Sequence, residues 1–420
     1  MNNKFIFYFP VNEIGGIHTL INRFIKEANR VGNNECIVID NDNGTVFQYL
    51  DKGGLKYIKV INDGYHWTMI KEKYNVFEYT LVFMSGGDFY DILSDLKRDI
   101  PKLKILFYLV HPETFLNFYV GTMINKLSFN NYSFKKFYIN SIYRTLTKLI
   151  VAEIDNMSRK NAILFMDEEN LQYSENIFNY KFDNVRLLPI PINNINDNIW
   201  NRNDRNYFTW LGRLDKSKCN VLQRILIDYK QFVNLNRNIE SKFIIIGDGD
   251  GRSIIEELIN TLQLEKYVEL KGNIFKEDLE KEILNSSILF AMGTSALEGA
   301  RMGVPTVLVD WYKYVPDKVN YRWLYDTKNY TLGKVIEKGR DNYIHSNFNS
   351  IVMDFNLNSD YISEKSYLYS KKHEITNVYI KLCEYSQKNN FIIGDINIKE
   401  LYEKYNNILP VKIWKKKNLK

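Results

Sequence analysis

This 420-residue chain is poor in cysteine, proline and long apolar runs. Its 3 cysteines, Cys36, Cys219 and Cys383, cannot build a disulfide framework, and no Cys-x-x-Cys pair suggests a zinc site. Isolated thiols suit a reducing cytosol, where cysteine serves as a small core residue. No apolar run approaches the ~20 residues that cross a bilayer. The apolar run at the N-terminus is too short for a signal peptide and no small-residue cleavage site follows it, so a cytoplasmic protein is expected. Neither sign of charge dominates. Lys and Arg number 56 against 50 Asp and Glu, and the excess of +6 is too mild to imply nucleic acid. A hydrophobic fraction of 45% with 25% charged residues excludes disorder as an overall reading.

What is present alternates. Apolar strand patterns at Lys4–Phe9, Glu35–Asp40, Leu55–Val60, Thr80–Met84, Lys104–Val110, Ala162–Phe165 and Val185–Pro189 are separated by helical patterns. Continuous apolar strands of this kind predict a parallel sheet covered on both faces. An Asn-rich segment, Ile192 to Asn206, has the composition of a linker. A second α/β series follows, with strands at Tyr207–Leu211, Lys242–Ile246, Val268–Leu270, Ile288–Ala291 and Thr306–Val309. The expected architecture is two doubly wound α/β domains, 1–195 and 196–420, hinged near residue 195 and facing a central cleft. The last helix is a candidate to pack back on the first domain. Ligands of doubly wound sheets bind beyond the carboxyl ends of the strands, so the residues there carry the interest.

Phe290-Ala-Met-Gly-Thr-Ser-Ala-Leu-Glu298 is a strand, a glycine turn and a helix start. Thr294 or Ser295 can cap that helix, and its N-terminal amides and dipole suit a diphosphate. Glu298, one turn inside, can accept hydrogen bonds from a vicinal diol such as ribose. The structural alternative is a capped helix with a solvent-facing Glu. In Trp210-Leu-Gly212-Arg213-Leu-Asp-Lys-Ser-Lys218, two cations follow a strand. Such a pair can neutralise the charge that a departing diphosphate develops, or it can simply be a solvated loop. Gly247-Asp-Gly249-Asp-Gly251 is similar to a dinucleotide turn, but it does not follow the first strand of its series and its third glycine is misplaced. Gly15-Gly16 follows the first strand and permits close approach of a ligand or a tight turn. His111 ends an apolar strand. Asp40-Asn-Asp42 and Asp248-Gly-Asp250 match a loose Asp-x-Asp metal string and read as turns.

The order of these motifs resembles the GT-B glycosyltransferases of the large family-4-like group (glycosyl transferases group 1). The similarity covers most of the chain and is strongest from Tyr207 to Asp310. It rests on Gly212-Arg213-Leu214 with Lys218, Gly247–Gly249, Gly272-Asn273, and Glu298-Gly-Ala-Arg-Met-Gly303-Val-Pro305. The resemblance implies that Arg213 and Lys218 hold the diphosphate of a nucleotide sugar and that Glu298 binds its ribose. The backbone of Gly293, Thr294, Ser295, Ala296 and Leu297 would cradle phosphate or sugar. Gly15 and Gly16 would lie under the diphosphate, and His111 would meet the donor sugar. His111, Arg213 and Lys218 are thus the catalytic candidates, with Gly212, Gly247 and Gly249 beside the donor. The resemblance implies no metal and no cofactor beyond the nucleotide-sugar co-substrate, a UDP-sugar by expectation. One position departs from the family. Its pattern has two Glu with seven residues between them, and the first falls on Phe290 here. The aromatics between Trp311 and Trp323 are candidates to replace that contact.

Between Thr114 and Ala152 there is no Asp or Glu, while Lys126, Lys135, Lys136, Arg144 and Lys148 alternate with aromatics. Cations interleaved with aromatics suit an anionic membrane surface. Core helices with solvated lysines are the structural alternative. The C-terminal stretch around Trp414 repeats the pattern on a small scale. The expectation is a peripheral enzyme at the inner face of the cytoplasmic membrane that extends a glycan or lipid-linked acceptor of lipopolysaccharide, O-antigen or capsule, without nucleic acid. The alternatives are a UDP-sugar epimerase and a catalytically silent glycan- or membrane-binding partner subunit.

Overall fold

Runs such as Phe5-Ile-Phe-Tyr and Phe243-Ile-Ile-Ile leave no polar face for solvent, so their strands must be covered on both sides. The computed structural model shows how. It describes residues 3–10, 16–32, 35–84, 89–119, 131–195, 207–236, 242–274, 277–337 and 346–406. The chain forms two compact units, Met1–Pro191 with Ile375–Lys420, and Ile192–Glu374.

The first unit holds a six-stranded sheet of order β3-β2-β1-β4-β5-β6. Its strands are β1 (Lys4–Tyr8), β2 (Ile37–Asp40), β3 (Ile58–Ile61), β4 (Tyr79–Phe83), β5 (Lys104–Leu109) and β6 (Ile163–Phe165). All pairs are parallel. Side chains alternate between its faces, as the two-residue period of a strand requires. Ile6, Tyr8, Leu81, Phe83 and Phe107 belong to one buried cluster, and Phe5, Phe7, Val38, Val82 and Leu106 to another.

The second unit repeats the plan with β7 (Tyr207–Leu211), β8 (Lys242–Ile246), β9 (Val268–Gly272), β10 (Ser286–Ala291), β11 (Thr306–Leu308) and β13 (Arg322–Trp323), in the order β13-β11-β10-β7-β8-β9. Only β13 runs antiparallel in this sheet. A two-stranded ribbon pairs β12 (Trp311–Tyr312) with β14 (Val335–Ile336).

Two expectations change. Val185–Pro189 is not a strand; it makes a single bridge, Leu187 to Phe165. The second unit does not run on from 196 to the end. The helix Ile375–Lys388 sets Val378, Tyr379 and Leu382 against the Phe5 and Phe7 face of the first sheet. These residues sit at helical spacing, so one stripe of the helix supplies the cover that this face lacks. Asn389 Nδ2 then donates to Ile105 O at 2.9 Å, and Ser386 meets Thr80 hydroxyl to hydroxyl at 2.8 Å.

Candidate functional site

In each sheet the strand order reverses beside the first strand, and such a reversal opens a crevice at the carboxyl ends. In the second unit it lies between β7 and β10, whose ends, Leu211 and Ala291, are register partners. The loops leaving these two strands are Gly212–Asp215 and Met292–Gly293. Stretches about eighty residues apart in the chain are thereby brought side by side, and they are the two that the sequence singled out.

The loop after β7 ends in the helix Lys216–Leu235, whose N-cap is Asp215. One Asp215 oxygen, Oδ1, accepts from Lys218 N at 2.9 Å and from Ser217 Oγ at 2.6 Å. The other, Oδ2, lies 3.9 Å from Arg213 Nη2 and 4.0 Å from Lys218 Nζ. One carboxylate therefore gathers both cations at the head of a helix. Arg213 is 71% exposed and Lys218 26%. Burial first, and the Arg213 charge second, hold the Lys218 ammonium below its ordinary range, against the pull of Asp215. A cation disfavoured at a helix N-terminus beside an arginine is stabilised by an incoming anion.

Gly247 and Gly249 have a packing task. Their turn packs against the Arg213 loop: Gly212 N donates to Ile246 O at 3.1 Å, and Leu214 N to Asp248 O at 2.9 Å. Gly247 has φ +134°, and a Cβ there would lie 2.1 Å from Gly212 O. At Gly249, φ +156°, it would lie 2.6 Å from Leu214 O. These glycines let two loops touch. The Asp-x-Asp strings are turn residues. Asp250 Oδ1 accepts from Lys216 N at 3.2 Å, and the buried Asp40 accepts from Asn41 N and Val46 N at 2.8 and 2.9 Å.

After β10 only Met292 and Gly293 precede the helix Thr294–Arg301. Its N-cap is Gly293, at φ +61°, with no side-chain cap, so neither Thr294 nor Ser295 caps it. Ala296 and Leu297 bury their side chains in the core, and Ala296 N donates to Gly293 O at 3.2 Å. Glu298 follows one turn in, and Arg301 Nε donates to its Oε2 at 2.6 Å. Arg301 also donates to Glu280 Oε1 at 2.7 Å from Nη2. Arg301 is the orienting residue that sequence reasoning passed over, although its spacing of three from Glu298 was the signal. The buried Asp310, two residues past the neighbouring strand, holds Arg322 at 2.6 and 2.9 Å and Lys334 N at 2.7 Å.

Phe290 lies inside β10, fully buried, with its ring stacked on Phe348 at 5.4 Å and on Phe243 at 5.9 Å. The turn into the helix is only Met292 and Gly293, so the position eight before Glu298 falls inside the strand. Of the aromatics beyond β11, Tyr312, Tyr321 and Trp323 are core residues, whereas Trp311 and Tyr314 are half-buried. A cavity of about 290 Å³ in this unit is elsewhere, walled by Arg224, Asp228 and Gln231 further along the helix from Lys218, and by Asn347 and Phe348.

In the first unit, Gly16 starts the exposed end of the helix Gly16–Arg30, and Gly15 lies outside the described residues. His111 follows β5, half-buried, with Nδ1 accepting from Glu113 N at 3.2 Å. The basic segment divides. Lys126 and Trp414 lie outside the described residues. Lys135 is not on the surface; it is 2% exposed and paired with Glu113. Phe115, Phe118, Tyr119, Tyr132 and Tyr143 are core. Lys136 is half-buried, whereas Arg144 and Lys148 are exposed, as are Phe134, Phe137 and Ile142. Among the described residues no helix is long and apolar enough to cross a membrane.

No family model matches the chain, and no curated protein matches its sequence. Solved structures do match it in shape. HepE from Anabaena, in complex with UDP and glucose, is 12% identical with a TM-score of 0.55, over 91% of this chain and 99% of its own. A glycosyltransferase from Rickettsia africae is 14% identical with a TM-score of 0.59, over 93% and 99%. The lipopolysaccharide outer core galactosyltransferase WaaB, in its apo form, is 13% identical with a TM-score of 0.53, over 91% and 98%. The fold of this chain is GT-B.

Proposed function

We propose that this chain is a glycosyltransferase that takes a sugar from a nucleotide diphosphate, with UDP-sugar as its donor. One observation carries the reading: the β7–β10 reversal sets Arg213 and Lys218 beside the uncapped helix that bears Glu298. The two cations and the helix N-terminus suit the diphosphate, and the Glu298 carboxylate, oriented by Arg301, suits the ribose diol. That HepE was solved with UDP and glucose supports the choice of nucleotide.

The acceptor in this reading is a lipid-linked or polysaccharide glycan of the bacterial surface. The likeness in fold to WaaB, a lipopolysaccharide outer core galactosyltransferase, supports that class. The exposed Phe134, Phe137 and Ile142, beside the exposed Arg144 and Lys148, support contact with an anionic membrane.

The test is a thermal-shift and donor-hydrolysis panel of UDP, GDP, dTDP, ADP and CMP sugars. UDP-sugars should raise Tm and turn over, and Arg213→Ala and Glu298→Ala should each abolish the shift. Flotation of the same preparations with anionic vesicles reads the membrane contact. If no nucleotide sugar shifts or turns over, the donor site is not functional, and a silent glycan-binding partner is the better description.

A further inference from the structure

The cavity of about 290 Å³ in the second unit shares no residue with the candidate donor site, and its wall is charged. Part of that wall is one stripe of the helix Lys216–Leu235, where Arg224, Asp228 and Gln231 stand at helical spacing. Lys318, from the loop before β13, adds a second cation. Asn347 and Asn349 line it from the start of the helix Phe348–Lys371. Among the described residues, Asp228 is the one carboxylate of this wall, and both its oxygens are taken. Its Oδ1 accepts from Arg224 Nη2 at 2.5 Å and its Oδ2 from Tyr321 OH at 2.7 Å.

What the wall has left to offer are donors. Arg224 is held through Nη2, and its Nε is buried with no hydrogen-bond partner among the described residues. A buried donor left unmet is costly, and an oxyanion relieves it. Because Nη2 keeps a second hydrogen, Nε and Nη2 together still form a two-pronged contact. Lys318 is exposed, and no carboxylate meets it among the described residues. Asn347 spends its Oδ1 on Ser350 N at 2.7 Å, which leaves its NH2 group. Two cations against one engaged carboxylate give the cavity an excess of positive charge. We propose that this cavity is a second anion site, separate from the donor site, and that it takes the phosphate monoester of a small polyol. Arg224 and Lys318 meet the phosphoryl oxygens, one as a fork and one as a point charge. Gln231 and Asn347 suit the hydroxyls, and Val319 and Phe348 give the carbon chain an apolar contact. The volume lies at the small end of ligand sites, which limits the ester to a few carbons. No bond is made or broken here, and the site does not depend on the glycosyltransferase reading.

Calorimetric titration of the full chain with glycerol phosphate tests this, with glycerol, inorganic phosphate and sulfate as the comparison ligands. The donor site is cationic too, so the discriminating variants are Arg213→Ala and Lys318→Glu. Lys318 is exposed, and its replacement should leave Tm near the starting value. Glycerol phosphate should bind the unsubstituted protein saturably, with one site that Arg213→Ala leaves unchanged. Lys318→Glu should weaken that site roughly tenfold or more. Arg224→Met/Asp228→Asn removes the guanidinium without stranding a carboxylate, and should weaken it by as much. Glycerol should not bind, and inorganic phosphate and sulfate should bind less tightly than the ester. Affinity that falls with Arg213→Ala and survives Lys318→Glu would overturn the proposal and return the anion to the donor site. Sulfate as tight as the ester would make it a site for an adventitious ion only, and an absence of saturable binding would remove it altogether; either result overturns the proposal.

Discussion

Lys218 shows at the scale of one residue how a site can be costly until its ligand arrives. Its ammonium is held below the ordinary lysine value of 10.5, chiefly by burial and next by Arg213. Between that lowered value and 10.5, the unfolded chain keeps a proton that the folded chain has released. Stability from this residue therefore rises with pH through that window, and at neutral pH the charged form is a cost to folding. A diphosphate reverses the preference by favouring the cation. UDP affinity should accordingly decline as pH climbs through the lowered value, before an ordinary lysine would titrate. Lys218→Met should leave the apo Tm unchanged or slightly raised. It should weaken UDP roughly tenfold or more, since a hydrogen bond to a charged group is worth about 1.5–3 kcal/mol. Calorimetric titration against pH and a melting curve of the variant read both. Of the residues involved, Arg213, Lys218 and Glu298 were legible because they follow strands in a known order of motifs. The burial of Lys135 was not, because its partner Glu113 lies 22 residues away and just outside the acid-free stretch.

Between elements, the contact that matters is a turn against a loop. The Gly-Asp-Gly turn after β8, expected beside the donor, packs against the Arg213 loop and supports it. Gly247→Ala would put a methyl group 2.1 Å from Gly212 O at φ +134°, where L side chains rarely go. Backbone strain plus displaced packing should cost about 2–3 kcal/mol. UDP binding should weaken as well, because the Arg213 loop that packs on this turn would shift with it. Chemical denaturation gives the first quantity and a UDP thermal shift the second. Strand and helix existence was readable from hydrophobic period, and so was the parallel character of both sheets. The failure at Val185–Pro189 has a local cause: its single bridge to β6 does not extend into a ladder.

For the molecule as a whole, the informative asymmetry is that one unit is contiguous and the other is not. Residues 192–374 begin and end together, with Ile192 N donating to His373 O at 2.7 Å. This segment should fold when expressed alone and should be stabilised by UDP, because Arg213, Lys218 and Glu298 all lie within it. Residues 1–191 alone should aggregate or melt early. Without Val378, Tyr379 and Leu382, the Phe5 and Phe7 face of their sheet is bare. Scanning calorimetry of the two fragments decides both expectations.

The sequence by itself determined the two α/β series, their parallel sheets and the strand-end residues that bear charge. All of these follow from short-range patterning: period, turn chemistry and motif order. Only the tertiary structure decided that the last helices complete the first unit. It alone showed that Phe290 is core and that Lys135 is buried beside Glu113. It also placed the loops after β7 and β10 at one strand-order reversal. Each of these depends on which distant segments meet, and burial and pairing between distant segments leave no periodic mark in the chain.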